Sequence, residues 1–359
     1  MTSDNTVSSI GTVWDSHATT AQTSLDHFFA ADGPQFLNNY YPAGDNTTFN
    51  YWWLAHVLDV RLDAYIRTGD QHWLEQALQT HANILERNGG SLYNDYFDDM
   101  LWNALAILRL HDATGDDRYL RLSQDLWQHV VDHGWNDVLG PSVAWRKQQL
   151  YYKNTPANGP FVILSARLAA RTGEKPVLEL GLAAYEWLTR ILVRADGFVE
   201  DGINRNQDGR IDVQWRYTYN QALYIGAGVA LTQATGSSTF RRQATLTALT
   251  AIQELADDGL FRTEGAGGDE GLFKGIYYRY LDTLLATLDP SSPPYTTLST
   301  FVRRSTDALW AHCQVDDWLL AGDDWSGPAP STVAYSTQLS AIMALEARAA
   351  LERRELRIY

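Results

Sequence analysis

The 359-residue chain carries 43 acidic against 28 basic residues, a formal net charge of -15. That excludes a primary role on nucleic acid or on anionic membrane surfaces, since either needs a basic patch to offset phosphate charge. The 45 % hydrophobic content suffices for a large core, no apolar run is long enough to span a bilayer, and the single Cys313 excludes an intramolecular disulfide or a thiolate metal cluster.

Helical periodicity predicts a first helix over about 10–31, with Ile10, Val13, Trp14, Leu25, Phe28 and Phe29 as core positions. A Pro/Gly/Asn-rich loop leads to a second helix, opened by Asn50-Tyr51-Trp52-Trp53 and closed by Thr68-Gly69-Asp70. The third follows at once and ends at Asn88-Gly89-Gly90. Asn94 or Asp95 is the expected N-cap of the fourth, which places Asp98 and Asp99 in its first turn and Thr114-Gly115 at its end. The fifth runs from Arg118 to Gly134. An aromatic loop, Trp135 to Tyr152, precedes Asn154 to Phe161, where the sixth helix opens before closing at Thr172-Gly173. The seventh spans about 175–194. Tyr217 to Gln221 opens the eighth, which stops at Thr235-Gly236, and the ninth covers about 238–257. Asp269 to Gly275 opens the tenth, the Pro-rich turn 290–294 the eleventh, and Thr332 to Arg354 forms the twelfth.

A repeat runs through this order: helix, Thr-Gly, then an acidic or hydroxyl residue that can cap the next helix, at Thr68, Thr114, Thr172 and Thr235. Short turns follow even helices, whereas long aromatic and Asn/Gly-rich loops precede them. Helical hairpins with one plain and one elaborate end stack into an open solenoid or close into a ring. Closure is the better reading, because the rare polar and aromatic groups gather at the even-helix starts and would then meet at one mouth. The expected fold is an all-α (α/α)6 barrel, with residues 1–359 as one catalytic domain.

Two carboxylates at a helix start have a plain explanation, since the helix dipole favours acids there. Tyr96, Phe97 and Trp102 around Asp98-Asp99 point further. Thirteen Trp and 19 Tyr exceed ordinary core needs, and flat rings with polar edges suit a pyranose. Two acids in an aromatic cleft suit glycoside hydrolysis, one protonating the leaving oxygen while the other attacks or activates water. Sequence neighbours fit the roughly 5–5.5 Å of a retaining pair better than the wider inverting spacing. The dipole should keep one member ionised, and its charge should raise the proton affinity of the other.

Asp98-Asp99 with Trp102, Tyr51-Trp52-Trp53 with His56, Lys153-Asn154, Asn158-Gly159-Pro160-Phe161, Tyr219-Asn220-Gln221 and Phe273-Lys274-Gly275-Ile276 together resemble glycoside hydrolase family 76. The resemblance covers about 50–280 and departs at Ala222, where the family commonly has Gly. It implies an (α/α)6 fold, retaining endo-hydrolysis of α-1,6-mannosidic linkages without a metal, Asp98 as nucleophile and Asp99 as acid/base. Tyr51, Trp52, Trp53, Tyr96, Trp102, Asn154, Asn158, Tyr217, Tyr219, Asn220, Gln221, Asp269, Lys274 and Tyr335 are the substrate-binding candidates.

Several of these have a structural alternative. Asn154, Asn158 and Gln221 can cap helices, the tryptophans and tyrosines can be core, Lys274 can pair with Asp269 and Glu270, and His56 can be a hydrogen-bonded core residue. The segment Asn204-x-Asn206-x-Asp208-Gly209-x-Ile211-Asp212 opens like a calcium loop, but Trp215 stands where the bidentate Glu belongs, so a tight turn is the better reading. Other functions for such a barrel are a transglycosylase, a non-catalytic glycan binder, or an epimerase using His56 and His312. A monomer is expected. The polar opening Met1 to Asn5 lacks a signal-peptide profile, so a cytoplasmic location is expected unless a leader has been removed.

Overall fold

The computed structural model describes residues 12–33, 36–44, 46–265 and 267–357. Among them lie twelve α-helices: α1 (Val13–Phe29), α2 (Tyr51–Thr68), α3 (Gln71–Arg87), α4 (Phe97–Thr114), α5 (Asp117–Gly134), α6 (Thr155–Thr172), α7 (Lys175–Ile191), α8 (Thr218–Thr235), α9 (Ser238–Leu255), α10 (Phe273–Leu285), α11 (Pro293–His312) and α12 (Tyr335–Leu356). The even helices pack in succession, α2 on α4, α4 on α6, α6 on α8, α8 on α10 and α10 on α12. Helix α12 returns to α2, so the inner ring closes. The odd helices lie outside it, α3, α5, α7 and α9 each against the preceding even helix, and α1 against α12. This is the expected (α/α)6 barrel.

The Thr-Gly repeat has a local cause. Gly69, Gly115, Gly173 and Gly236 end α2, α4, α6 and α8 at φ of 71°, 70°, 77° and 74°, a left-handed turn that a side chain would strain. Each preceding Thr hydroxyl donates to the carbonyl four residues back and accepts the next free backbone N–H, as when Asp70 N donates to Thr68 Oγ1 at 3.1 Å. Asp70, Asp116 and Ser237 then cap the following outer helix, but Glu174 does not. Each of these four even helices is thereby turned sharply into the odd helix that follows it.

The inner helices approach closely because small residues line their contacts. A Cβ on Gly275 of α10 would lie 2.5 Å from Ser340 Cα of α12, where the Gly275 N–H donates to Ser340 Oγ at 2.9 Å. The open end of the ring is tied by short strand pairs. Tyr40–Tyr41 pairs with Val333–Ala334, and Lys153–Asn154 pairs with Gly202–Ile203, both antiparallel. Among the described residues no helix is long and apolar enough to cross a membrane.

One expectation for the first helix changes. Val13 is 62 % exposed because it occupies the outward side of the first turn, while Ala18, Ala21 and Leu25 carry the packing. Ile10 lies outside the described residues.

Candidate active site

The starts of α2, α4, α6, α8 and α10 and their loops enclose an open cavity of about 940 Å³, which the start of α12 does not line. Asp98 and Asp99 line it from the first turn of α4, as expected. The cap differs: Tyr96 is the N-cap, and its side chain does not cap the helix; its hydroxyl accepts from Arg146 Nη1 at 3.1 Å instead. Asn94 is already engaged, its Oδ1 accepting the Tyr96 N–H at 3.1 Å and its Nδ2 donating to Asp99 Oδ2 at 3.0 Å. A residue expected to cap the start of the helix instead holds a carboxylate.

Asp98 Oδ2 accepts the Trp145 indole N–H at 3.0 Å, and its Oδ1 accepts the Asp99 backbone N–H at 3.1 Å. Burial pushes Asp98 up to about 7, partly opposed by these two bonds. Asp99 is pushed well above the usual carboxylate range by burial, then by the charges of Asp98 and Asp269. The helix dipole alone predicts that one member of the pair stays readily ionised. Loss of hydration outweighs it, since a carboxyl in an apolar wall loses more than a partial dipole returns. Both carboxyls are therefore raised, and the charge of Asp98 adds to the rise at Asp99.

The wall is aromatic. Trp52 and Trp102 stack with centroids 6.3 Å apart, Tyr219 stacks on Phe273 at 3.8 Å, and Tyr217 leans on the same Phe273. Tyr51, Tyr96 and Asn154 also line the cavity. Asn154 at the same time caps α6, its Oδ1 accepting the Ala157 N–H at 3.1 Å. Asp269 completes the carboxylate group and is held by two indole N–H donors, Trp52 Nε1 at 2.9 Å and Trp53 Nε1 at 2.7 Å.

Six predicted binding residues stand behind this wall. Asn158 exchanges hydrogen bonds with the Val143 backbone at 2.8 and 2.9 Å, and Gln221 does the same with Val199 at 2.7 and 2.8 Å. Both amides are thus spent on loop backbone. Tyr335 and Trp53 are core residues, packed edge to face with centroids 5.1 Å apart. Asn220 is buried and donates to Asp201 Oδ1 at 3.0 Å. Lys274 pairs with Asp323 at 2.9 Å and donates to the Asp323 carbonyl, not to Asp269 or Glu270. Lys153, from the same motifs, donates to the Asn136, Gly140 and Ser142 carbonyls and so fixes the aromatic loop.

His56 is buried under Trp52 and Trp102 as expected, but neither ring nitrogen has a hydrogen-bond partner, and burial lowers it to about 3. His312 bonds the Trp325 carbonyl at 2.9 Å and does not line the cavity. Neither imidazole is placed for epimerisation. The calcium-like loop is a turn: Asn204, at φ 71°, accepts the Gly209 N–H at 2.8 Å and donates to the Tyr151 carbonyl, Asp208 accepts the Arg210 N–H, and Asp212 pairs with Arg205 at 3.0 Å. Asn206 belongs to the same turn. Among the described residues no three acidic, His or Cys groups are grouped to hold a metal ion.

Sequence reasoning missed Trp145, Asp201, Arg205 and Trp215, which all line the cavity from loops. Asp201 gathers Tyr152, Tyr219, Asn220 and Arg205, bonded at 3.0–3.1 Å. Only its place beside the strand pair with Asn154 reveals it, and that pairing has no signal in the sequence. Trp145→Phe is expected to lower kcat/KM about 10- to 100-fold, since a hydrogen bond to a charged group contributes roughly 1.5–3 kcal/mol. Losing that donor also disfavours ionised Asp98, so the acidic limb of the pH profile should move upward. A profile that stays in place would deny Trp145 this role.

A family model described as Glycosyl hydrolase family 76 matches residues 13–357. The chain is similar to the Lin0763 protein of Listeria innocua, with a TM-score of 0.90 and 48 % identity over 94 % of this chain and 97 % of that one. It is also similar to the alpha-1,6-mannanase GH76A of a Salegentibacter species, with a TM-score of 0.89 and 33 % identity over 94 % of this chain and 99 % of that one. That structure is of an inactive variant with two consecutive aspartates replaced by asparagine, in complex with alpha-1,6-mannotriose. A Schizosaccharomyces pombe protein provisionally named a mannan endo-1,6-alpha-mannosidase is 25 % identical over 350 residues, 86 % of this chain and 76 % of the relative.

Proposed function

The chain belongs to glycosyl hydrolase family 76 and is a glycoside hydrolase, and from that premise we propose that it cleaves α-1,6-mannosidic linkages within mannan with retention at the anomeric carbon. The observation that carries the mechanism is the unequal pair in the aromatic cavity, Asp98 tied to Trp145 and Asp99 to Asn94. Asp98 attacks the anomeric carbon as a carboxylate while Asp99 gives its proton to the departing glycosidic oxygen. A covalent glycosyl ester on Asp98 results. Asp99, now ionised, takes a proton from water, whose oxygen displaces Asp98 and restores the original configuration. The route uses protein acids and water alone, without a metal. The loss of activity in a relative lacking two consecutive aspartates supports the assignment. The family match over 13–357, with α12 closing the ring, supports one catalytic domain.

Incubation with linear α-1,6-mannan and with mannooligosaccharides, following the anomer of the first product by NMR, tests this reading. The α-anomer and shortened internal fragments are expected. A β-anomer first, or no product from any α-mannoside, overturns it, and products longer than the substrate would indicate transglycosylation.

The pH dependence follows from the same pair. Asp98 is active only when ionised, and it is held up to about 7. Rate therefore rises as pH climbs through that value, and falls once Asp99 loses its proton at higher pH. The two titrate together, so the limbs belong to the pair. An acidic limb of kcat/KM near pH 4, the ordinary carboxylate range, would contradict the burial argument.

A further inference from the structure

At the opposite end of the ring from the active site, the inner-helix C-terminal turns surround a second cavity of about 520 Å³. Its chemistry differs from the first. Among the described residues Tyr280 is the one aromatic lining it, whereas six arginines and five carboxylates do so. It lacks the flat walls that a sugar ring requires.

The charges are largely paired. Arg109 bonds Asp59 and Asp63 at 2.6 Å each, Arg279 bonds Asp63 at 2.7 Å, and Arg67 bonds Glu346 at 2.7 Å. Arg171 bonds Asp112 at 2.5 Å, and Arg353 reaches Asp15. Arg167 of α6 is the exception. Its guanidinium lines the cavity among Arg109, Arg171, Asp59 and Tyr280, yet among the described residues it has neither an ion pair nor a hydrogen bond. Asp59 faces it but already serves Arg109 and lies 3.6 Å from Arg279. Burial disfavours the charge of Arg167, as do Arg109 and Arg171, while Tyr280 and Asp59 favour it.

Half-buried Arg167 thus faces the cavity without a counter-charge bonded to it, and the planar fork of a guanidinium matches an oxyanion in two parallel hydrogen bonds. We propose that this basal cavity is a binding site for a small oxyanion of the phosphate type, with Arg167 as its principal ligand. The cavity exceeds one phosphate ion in volume, so the same group carried on a hexose would also be accommodated. The site is separate from the catalytic mouth, and occupancy stabilises the closed ring by binding the folded state alone.

The test uses the full chain. Inorganic phosphate is titrated calorimetrically and by thermal melting, against sodium chloride of matched ionic strength, and a hexose monophosphate is run in parallel. The native protein should bind phosphate once, saturably, with a rise in Tm that chloride does not reproduce. Tighter binding of the hexose monophosphate would assign the site to a sugar-linked phosphate, and weaker binding to the free ion. Arg167→Gln should lose at least about tenfold in phosphate affinity while still hydrolysing mannan. Asp99→Asn should keep the native response. Hydrogen exchange on the native protein, which requires no variant, should show phosphate protecting the last turn of α6 and the Arg279 region of α10. The proposal is overturned by no saturable binding in the native protein, by equal affinity in Arg167→Gln, by loss of binding in Asp99→Asn, or by protection confined to the catalytic mouth.

Discussion

Asp99→Asn should hydrolyse unactivated α-1,6-mannan about 10²- to 10⁴-fold more slowly than the native enzyme, the range a positioned general acid supplies. The substitution is nearly isosteric with the resting state, because Asp99 holds its proton well above the ordinary range. A neutral amide there leaves the charge around Asp98 little changed, so mannooligosaccharide affinity should persist. An aryl α-mannoside with a good leaving group needs no proton in the first step and should form the Asp98 ester readily. The second step then stalls for want of a base, and added azide should release the intermediate as the α-mannosyl azide. Asp98→Asn should lose both steps and gain nothing from azide. If Asp99→Asn retains mannan turnover within tenfold of native, or azide fails to accelerate the aryl substrate, the acid/base assignment is wrong.

How far the sequence reached depends on which interactions are local. The Thr-Gly caps, the alternation of plain and elaborate ends, and the position of Asp98-Asp99 in a first turn are all set within a few residues, and each is legible from spacing. Ring closure was inferable because the even-helix starts share unusual chemistry. What failed was the destination of long polar side chains. Asn158 and Gln221 were as eligible for sugar as for backbone, and the choice rests on Val143 and Val199, neighbours supplied by distant loops. Lys274 took Asp323, 49 residues away, over the acids beside it in sequence. Trp145 reached Asp98 across 47 residues. Such partners follow from the closed ring, and the ring must be built before they can be named.

The interior of that ring makes the second prediction a stability one. Arg109 spans α4 to α2 by holding Asp59 and Asp63 together, so its loss leaves two carboxylates close in space with only Arg279 between them. Breaking one partner out of a buried ion pair costs about 3–5 kcal/mol, and the remaining Arg279 should place Arg109→Met towards the lower end. The sign of the pH effect follows from Asp59. In the native protein Arg279 and Arg109 hold it down to about 2 against its burial, so the stability it contributes is present at neutral pH and is lost only as pH falls through that value. In the variant the same carboxyl is buried with less compensation and takes up a proton at higher pH. The deficit in folding free energy should therefore be largest near pH 7 and shrink by about pH 4, because the variant's folded state binds the extra proton there. Urea denaturation of both proteins at the two pH values measures it. A deficit under about 1 kcal/mol at neutral pH, or one that grows on acidification, would show that these charges do not hold the inner helices together.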